Sequence, residues 1–197
     1  MNPDELLERA LAYALGSLAG VTACQLSRPT PCARWDLGAL IGHLDDSLDA
    51  LREGLGGGCV GPGGGVAACP GGDPGEGFRA RARALLGTPV RDGAAVVVAD
   101  RDLPAGIVAA VGAVEIAVHG WDVAQARGLA RPVPSALAAE LLPLARRFVA
   151  CDDRGPRFAQ PVEPGPRARP GDRLVAFLGR RPGPPRFLFG PGPVCLP

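Results

Sequence analysis

PAGIVAAVGAVEIAVHGWDVAQARG, from Pro104 to Gly128, is apolar nearly all round. Pro104 suits a first helical turn and Gly128 the position just past a last one, so the run predicts one helix to about Arg127. Ile107, Val108, Val111, Val114, Ile116 and Val118 leave it no polar face. A helix of that kind belongs at the buried centre of a bundle. Glu115, His119 and Asp122 then occupy one strip of it, because residues three and four apart lie one above the other. A buried carboxylate without a partner is costly, so Glu115 needs a cation or hydrogen-bond donors.

The chain has one other histidine, His43, at the end of TPCARWDLGALIGHL (Thr30 to Leu44). Asp36 is placed to cap a helix whose apolar residues are Leu37, Leu40, Ile41, Leu44, Leu48, Leu51 and Leu55. These cluster on one face, and His43 falls at the edge of that stripe. A histidine from this helix, added to the Glu115/His119 pair, makes a His2Glu ligand set for a divalent metal with an open coordination position. The competing reading is a structural ion pair between His119 and Glu115, with His43 a core histidine. Asp122, one turn beyond His119, can accept a hydrogen bond from the ring nitrogen facing away from the metal. Asp46, one turn beyond His43, either reaches the metal region or faces water.

Further out, Asn2, Pro3 and Glu5 mark the start of a helix to about Ala23. The two prolines of Ser27 to Cys32 make that segment a connection. Half of the 24 residues from Gly54 to Gly77 are glycine, so this stretch predicts a flexible loop without packed structure. It is either a lid over the bundle mouth or plain disorder. A short Arg-rich helix follows from about Phe78 to Leu86. Arg79 and Arg83 share one of its faces, which reads as solvated. Ala94 to Ala99 is a short strand or an extended connection. Ser135 would cap a helix to about Ala150, and DRLVAFLGR (Asp172 to Arg180) precedes a Pro/Gly-rich tail, 181–197. The expectation is therefore a single all-α domain over 1–197, a bundle of about four helices with little or no sheet.

Composition narrows the function classes. The 197 residues, 47% hydrophobic, suffice for one sizeable core. With 21 basic residues against 20 acidic, the net charge is +1, which argues against nucleic acid or an anionic membrane as the main partner. All basic residues are Arg, a pattern of GC-rich coding that discounts any single Arg as a signal. The N-terminus is polar and acidic, and no apolar run approaches a membrane span in length, so the expectation is a cytoplasmic protein, monomer or homodimer. Six cysteines without zinc-ligand spacing read as separate reduced thiols. Cys32 reads as buried packing, and Trp35 and Trp121 as core anchors.

The residues Thr30, Pro31, Cys32, Trp35 and His43, then Glu115, His119, Gly120, Trp121 and Asp122, then Asp172, Arg173, Leu174, Leu178, Gly179 and Arg180 together resemble a known group. It is the actinobacterial group related to the N-terminal domain of mycothiol-dependent maleylpyruvate isomerase, within the DinB-like superfamily of metal-binding four-helix bundles. The resemblance spans nearly the whole chain apart from the glycine loop and the last dozen or so residues. It implies a DinB-like four-helix bundle in which His43, Glu115 and His119 bind a divalent ion, usually zinc. It also implies thiol-dependent transfer or isomerisation of a small-molecule substrate, with mycothiol, bacillithiol or glutathione as the thiol cosubstrate, mycothiol foremost. The isomerase carries a further C-terminal domain, for which this chain is too short. The chain also has Asp45 and Asp46 where the group has small or apolar residues.

In that chemistry a metal-held thiolate adds to an activated double bond or displaces a leaving group, with Asp46 or Asp122 handling the proton. Two other readings stand beside it. One is a hydrolase or biosynthetic tailoring enzyme that uses the ion to activate water; the other is a non-catalytic metal- or ligand-binding bundle.

Overall fold

The structure is a computed structural model that describes residues 2–32, 35–60, 73–88, 90, 93–98, 100–149, 154 and 158–183. It is mostly helical: α1 (Pro3–Leu18), α2 (Leu37–Gly57), α3 (Glu76–Leu86), α4 (Ala105–Ala126), α5 (Ser135–Phe148) and α6 (Pro170–Phe177). The apolar run is α4, which packs against α1, α2 and α5. Fifteen of its residues are buried, Glu115 not among them. It is also the one described helix long and apolar enough to cross a membrane, which corrects the reading that no such run exists. Its apolarity is taken up by packing, since 78% of its most apolar window is buried inside the molecule.

The caps explain where the helices begin. Asn2 accepts the Asp4 N–H at the start of α1, and Asp36 Oδ1 accepts Ala39 N–H at 2.8 Å at the start of α2. The Leu37 and Gly38 N–H groups donate to the Arg28 and Leu26 carbonyls. The free donors of the first turn of α2 are therefore satisfied, and its rotational phase, hence the direction of His43, is set. At α5 the N-cap is Pro134, with Ser135 the first helical residue and no side-chain cap.

A small three-stranded sheet accompanies the helices, in keeping with the expectation of little or no sheet. β1 (Cys59–Val60), β2 (Ala95–Val98) and β3 (Arg101–Pro104) lie in that order. β1 runs parallel to β2, and β2 antiparallel to β3. Val96 is the buried residue of β2, and the β-branched run from Val96 to Val98 suits a strand once a neighbour is supplied. A Cβ on Gly54 would stand 2.9 Å from Val96 and 3.0 Å from Val60, so a glycine in α2 is what lets the sheet lie against that helix.

The glycine-rich stretch is thus narrower than expected. Gly54 to Gly57 belong to α2, Gly58 closes it at φ 74°, and Glu76 already opens α3. Residues 61–72 lie outside the described residues, as do 184–197 of the tail. Among the described cysteines, Cys32 and Cys59 stand outside any disulfide. Cys24, exposed in a short 3-10 turn, is disulfide-bonded, which corrects the expectation of separate thiols. Sequence spacing could not show which thiols meet in space.

Candidate metal centre

α2 and α4 pack side by side, and this brings His43 to the Glu115/His119 pair. Glu115 Oε1 lies 2.8 Å from His43 Nε2 and 3.2 Å from His119 Nε2. One ligand atom from each of the three residues lies within 4.8 Å of the others. His43 and Glu115 each keep about a third of the side chain exposed, at 30% and 35%, so the cluster opens to solvent on one side. His119 lies deeper, at 6%.

Behind His119 the ring is held by a second carboxylate. His119 Nδ1 lies 3.0 Å from Asp122 Oδ2. Asp122 has no exposed surface, and Arg180 reaches it from beyond the end of α6. Arg180 Nη2 donates to Asp122 Oδ2 at 2.8 Å and Nε to Oδ1 at 3.3 Å. The rings form a compact group: Trp35 stacks on His43 with centroids 4.3 Å apart, and His43 meets His119 edge-on at 5.1 Å.

The electrostatics follow from these contacts. Burial pushes Glu115 up, but the hydrogen bonds from His119 and His43 outweigh it and hold the carboxyl well below the usual range. Burial pulls His119 down, but the hydrogen bonds to Asp122 and Glu115 outweigh it, and its pKa stands up to about 9. Burial also works against an ionised Asp122, and the charge of Arg180 with the His119 bond reverses this and lowers it.

Three of the sequence-predicted site residues, His43, Glu115 and His119, are brought together with Asp122 directly behind. Asp46 is not: it is exposed on α2 and makes no hydrogen bond or ion pair with the three. Asp122 is fully buried, with Oδ1 engaged by Arg180 and Oδ2 by Arg180 and His119. The inward-facing acid after His43 is Asp45, which pairs with Arg81 of α3 at 3.5 Å and has a buried, unpartnered Oδ1. Arg79 stays local, bound to Asp73 and Glu76.

Two site residues escaped a reading based on periodicity. Trp35 reads as a core anchor, yet it stacks on a candidate ligand as well as packing on the core. Arg180 has no pattern to mark it except the glycine before it, which signals a helix end whose next residue turns back on the fold.

No family model matches the chain, and no solved structure matches it. Two curated proteins of Mycobacterium tuberculosis do match, the uncharacterized protein MT0763 of strain CDC 1551 and the uncharacterized protein Rv0738 of strain H37Rv. Each is 31% identical over 186 residues, covering 91% of this chain and 98% of the relative. The chain belongs to the family of these mycobacterial proteins.

Proposed function

We propose that this protein is a divalent-metal-dependent enzyme of the DinB-like four-helix-bundle type, with zinc at His43, Glu115 and His119 and a thiol of the mycothiol class as cosubstrate. The reaction is transfer or isomerisation on a small molecule. One observation carries the metal: two imidazole Nε2 atoms converge on the same carboxylate oxygen, at 2.8 and 3.2 Å.

The donor set fits the ion. Ligands bound at roughly 2.0–2.2 Å around a tetrahedral centre stand about 3.3–3.6 Å apart. The His119–Glu115 separation is already close to that, and the His43–Glu115 separation needs to open by about half an ångström. Without an ion, both Nε2 atoms require a proton to approach Glu115. His119 would then be doubly protonated, since its Nδ1 also faces a carboxylate. A divalent ion takes the place of that proton.

When bound, such an ion acts as a Lewis acid and lowers the pKa of a thiol or water at its open position. The chain's residues do the rest. Asp122 accepts the Nδ1 proton of His119 and so presents Nε2 as a lone pair. Trp35 holds the His43 ring, and the exposed edges of His43 and Glu115 leave the side from which a substrate enters. The thiol class rests on the resemblance of the three motifs, as does the bundle type. A cytoplasmic setting, where small thiols are kept reduced, goes with it; the Cys24 disulfide pulls the other way.

The test is metal titration followed by thiol addition. Purified protein stripped with chelator should take up one equivalent of zinc or cobalt(II). The cobalt form should gain a thiolate-to-cobalt charge-transfer band when mycothiol is added. Absence of stoichiometric uptake would reject the metal site. Uptake without a thiol-dependent band would reject the thiol chemistry and leave water activation as the reading.

A further inference from the structure

We infer that Arg180 is a positioning residue for the candidate metal centre, fixing the orientation of Asp122 so that Asp122 holds His119 with Nε2 turned toward His43 and Glu115. The inference rests on the metal reading above for its consequence, and on contacts among the chain's own residues for its geometry.

The delivery of Arg180 is built into the end of α6. The Gly179 N–H donates to the Ala176 carbonyl at 3.0 Å and the Arg180 N–H to the Val175 carbonyl at 2.9 Å. This is the paired bonding of a helix stopped by a left-handed residue, and Gly179 stands at φ 83°. A Cβ there would also come within 2.7–2.9 Å of Ala159, so glycine is required twice over. The turn reverses the chain and sends the Arg180 side chain to Asp122. Arg180 Nη1 donates to the Leu178 carbonyl at 2.9 Å, which ties the guanidinium to its own turn. Arg154 anchors the same region by donating to the Ala159 and Phe177 carbonyls, both at 3.0 Å.

The guanidinium meets Asp122 at two points, and this two-point contact matters more than the charge alone. A carboxylate with one hydrogen-bond partner turns easily about its terminal torsion, which is broad. With Nε on Oδ1 and Nη2 on Oδ2, the planar fork locks the carboxylate plane. Oδ2 is then shared between Arg180 at 2.8 Å and His119 Nδ1 at 3.0 Å. The imidazole of His119 is held in one orientation, with Nε2 facing the other ligands. A lysine at 180 would keep the charge and lose the fork.

The experiment compares wild type, Arg180→Lys, Arg180→Met and Asp122→Asn. Zinc affinity is read by chelator competition, and the His119 ring is read by nitrogen-15 correlation spectra of the zinc-free protein. Arg180→Met should weaken zinc binding about 10- to 100-fold, the usual consequence of losing a partner one layer behind the ligands. Arg180→Lys should fall between it and wild type. The double variant R180M/D122N should be no worse than D122N alone, since the two act through one chain of contacts.

In the spectra, the doubly protonated His119 ring of zinc-free wild type should give one set of nitrogen signals, and Arg180 variants should lose that single set. A role limited to stability would lower the melting temperature and leave affinity and spectra unchanged, which would overturn the inference. If Arg180→Met does not fold, Arg180→Lys carries the same readouts. If wild type binds no zinc, the metal reading fails, and the His119 spectra alone decide for or against Arg180. If wild type binds zinc and the Arg180 variants bind it equally well, the metal reading stands and this inference falls.

Discussion

Trp35 lies face-on against His43, with ring centroids 4.3 Å apart and planes inclined by 29°, and its ring also comes within 5.7 Å of the His119 ring. The Thr30 hydroxyl donates to both the Cys32 and the Trp35 carbonyls, at 2.9 and 2.8 Å. Thr30 therefore ties the Cys32 and Trp35 backbones together just before α2, with the indole of Trp35 set on the imidazole. Replacing Trp35 with Leu keeps apolar packing and removes the flat surface. Zinc affinity should fall about tenfold, in the range expected when ligand orientation is loosened. Unchanged affinity in a folded W35L protein would reduce Trp35 to a packing residue.

Removing a ligand should cost more than removing a residue behind one. His119→Ala and His43→Ala are each expected to weaken zinc binding by more than about 100-fold. A ligand that binds only the folded state, at 100 times its Kd, stabilises that state by about 2.7 kcal/mol. Thermal melts with and without zinc should show that gain for wild type and not for either variant. A zinc-induced shift surviving in His119→Ala would place the ion elsewhere.

Proton release offers a separate check. In the metal-free protein His119 has a pKa of about 9, above its ordinary 6.5, so at pH 7 it carries a proton that zinc must displace. The raised value contributes stability that is full below about pH 6.5 and is lost as pH rises through about 9. Zinc uptake at pH 7 should take a proton from His119, whereas at pH 10 that proton is already gone and release comes from water at the open position. Calorimetry in buffers of different ionisation enthalpy measures this directly. No proton release on uptake at pH 7 would show that His119 is not the displaced group.

Asp45 should show the opposite linkage. Burial pushes its pKa from 3.8 up to about 6, although Arg81 draws it down. A carboxyl raised in the folded state does no harm below about pH 3.8. It destabilises progressively as pH rises through about 6. Asp45→Asn should therefore gain on wild type between pH 4 and pH 7, reaching about 1–2 kcal/mol. Arg81 keeps its 2.8 Å bond to Asp49 in the variant. Denaturant titrations at several pH values would read the difference, and a flat difference would count against the burial argument.

Gly120 tests the packing that places His119. A Cβ there would stand 3.0 Å from Ala14 Cα and 3.1 Å from Ala14 Cβ, so α1 and α4 touch almost backbone to backbone. Gly120→Ala improves helix propensity by about 1 kcal/mol and forces the helices apart at a cost of about 1–3 kcal/mol. A net loss of about 1 kcal/mol and a melting temperature lower by a few degrees are expected. A more stable variant would mean that the helices move apart freely.

What the sequence determined by itself is the content of the helices. The apolar period of Leu37 to Leu55, the capping residues Asn2 and Asp36, and the stop at Gly128 are properties of neighbouring residues, and the helices stand close to where these place them. The same locality makes Glu115, His119 and Asp122 one strip, because four residues of helix rise only about 6 Å. Tertiary structure decided what that strip faces. His43 meets Glu115 across 72 residues of chain and Arg180 meets Asp122 across 58, and β1 finds β2 beyond the glycine-rich stretch. Such meetings depend on how the helices pack and where the loops turn back. A loop of glycine and proline carries no periodic pattern from which its direction can be read, so those partners became visible only in the folded chain.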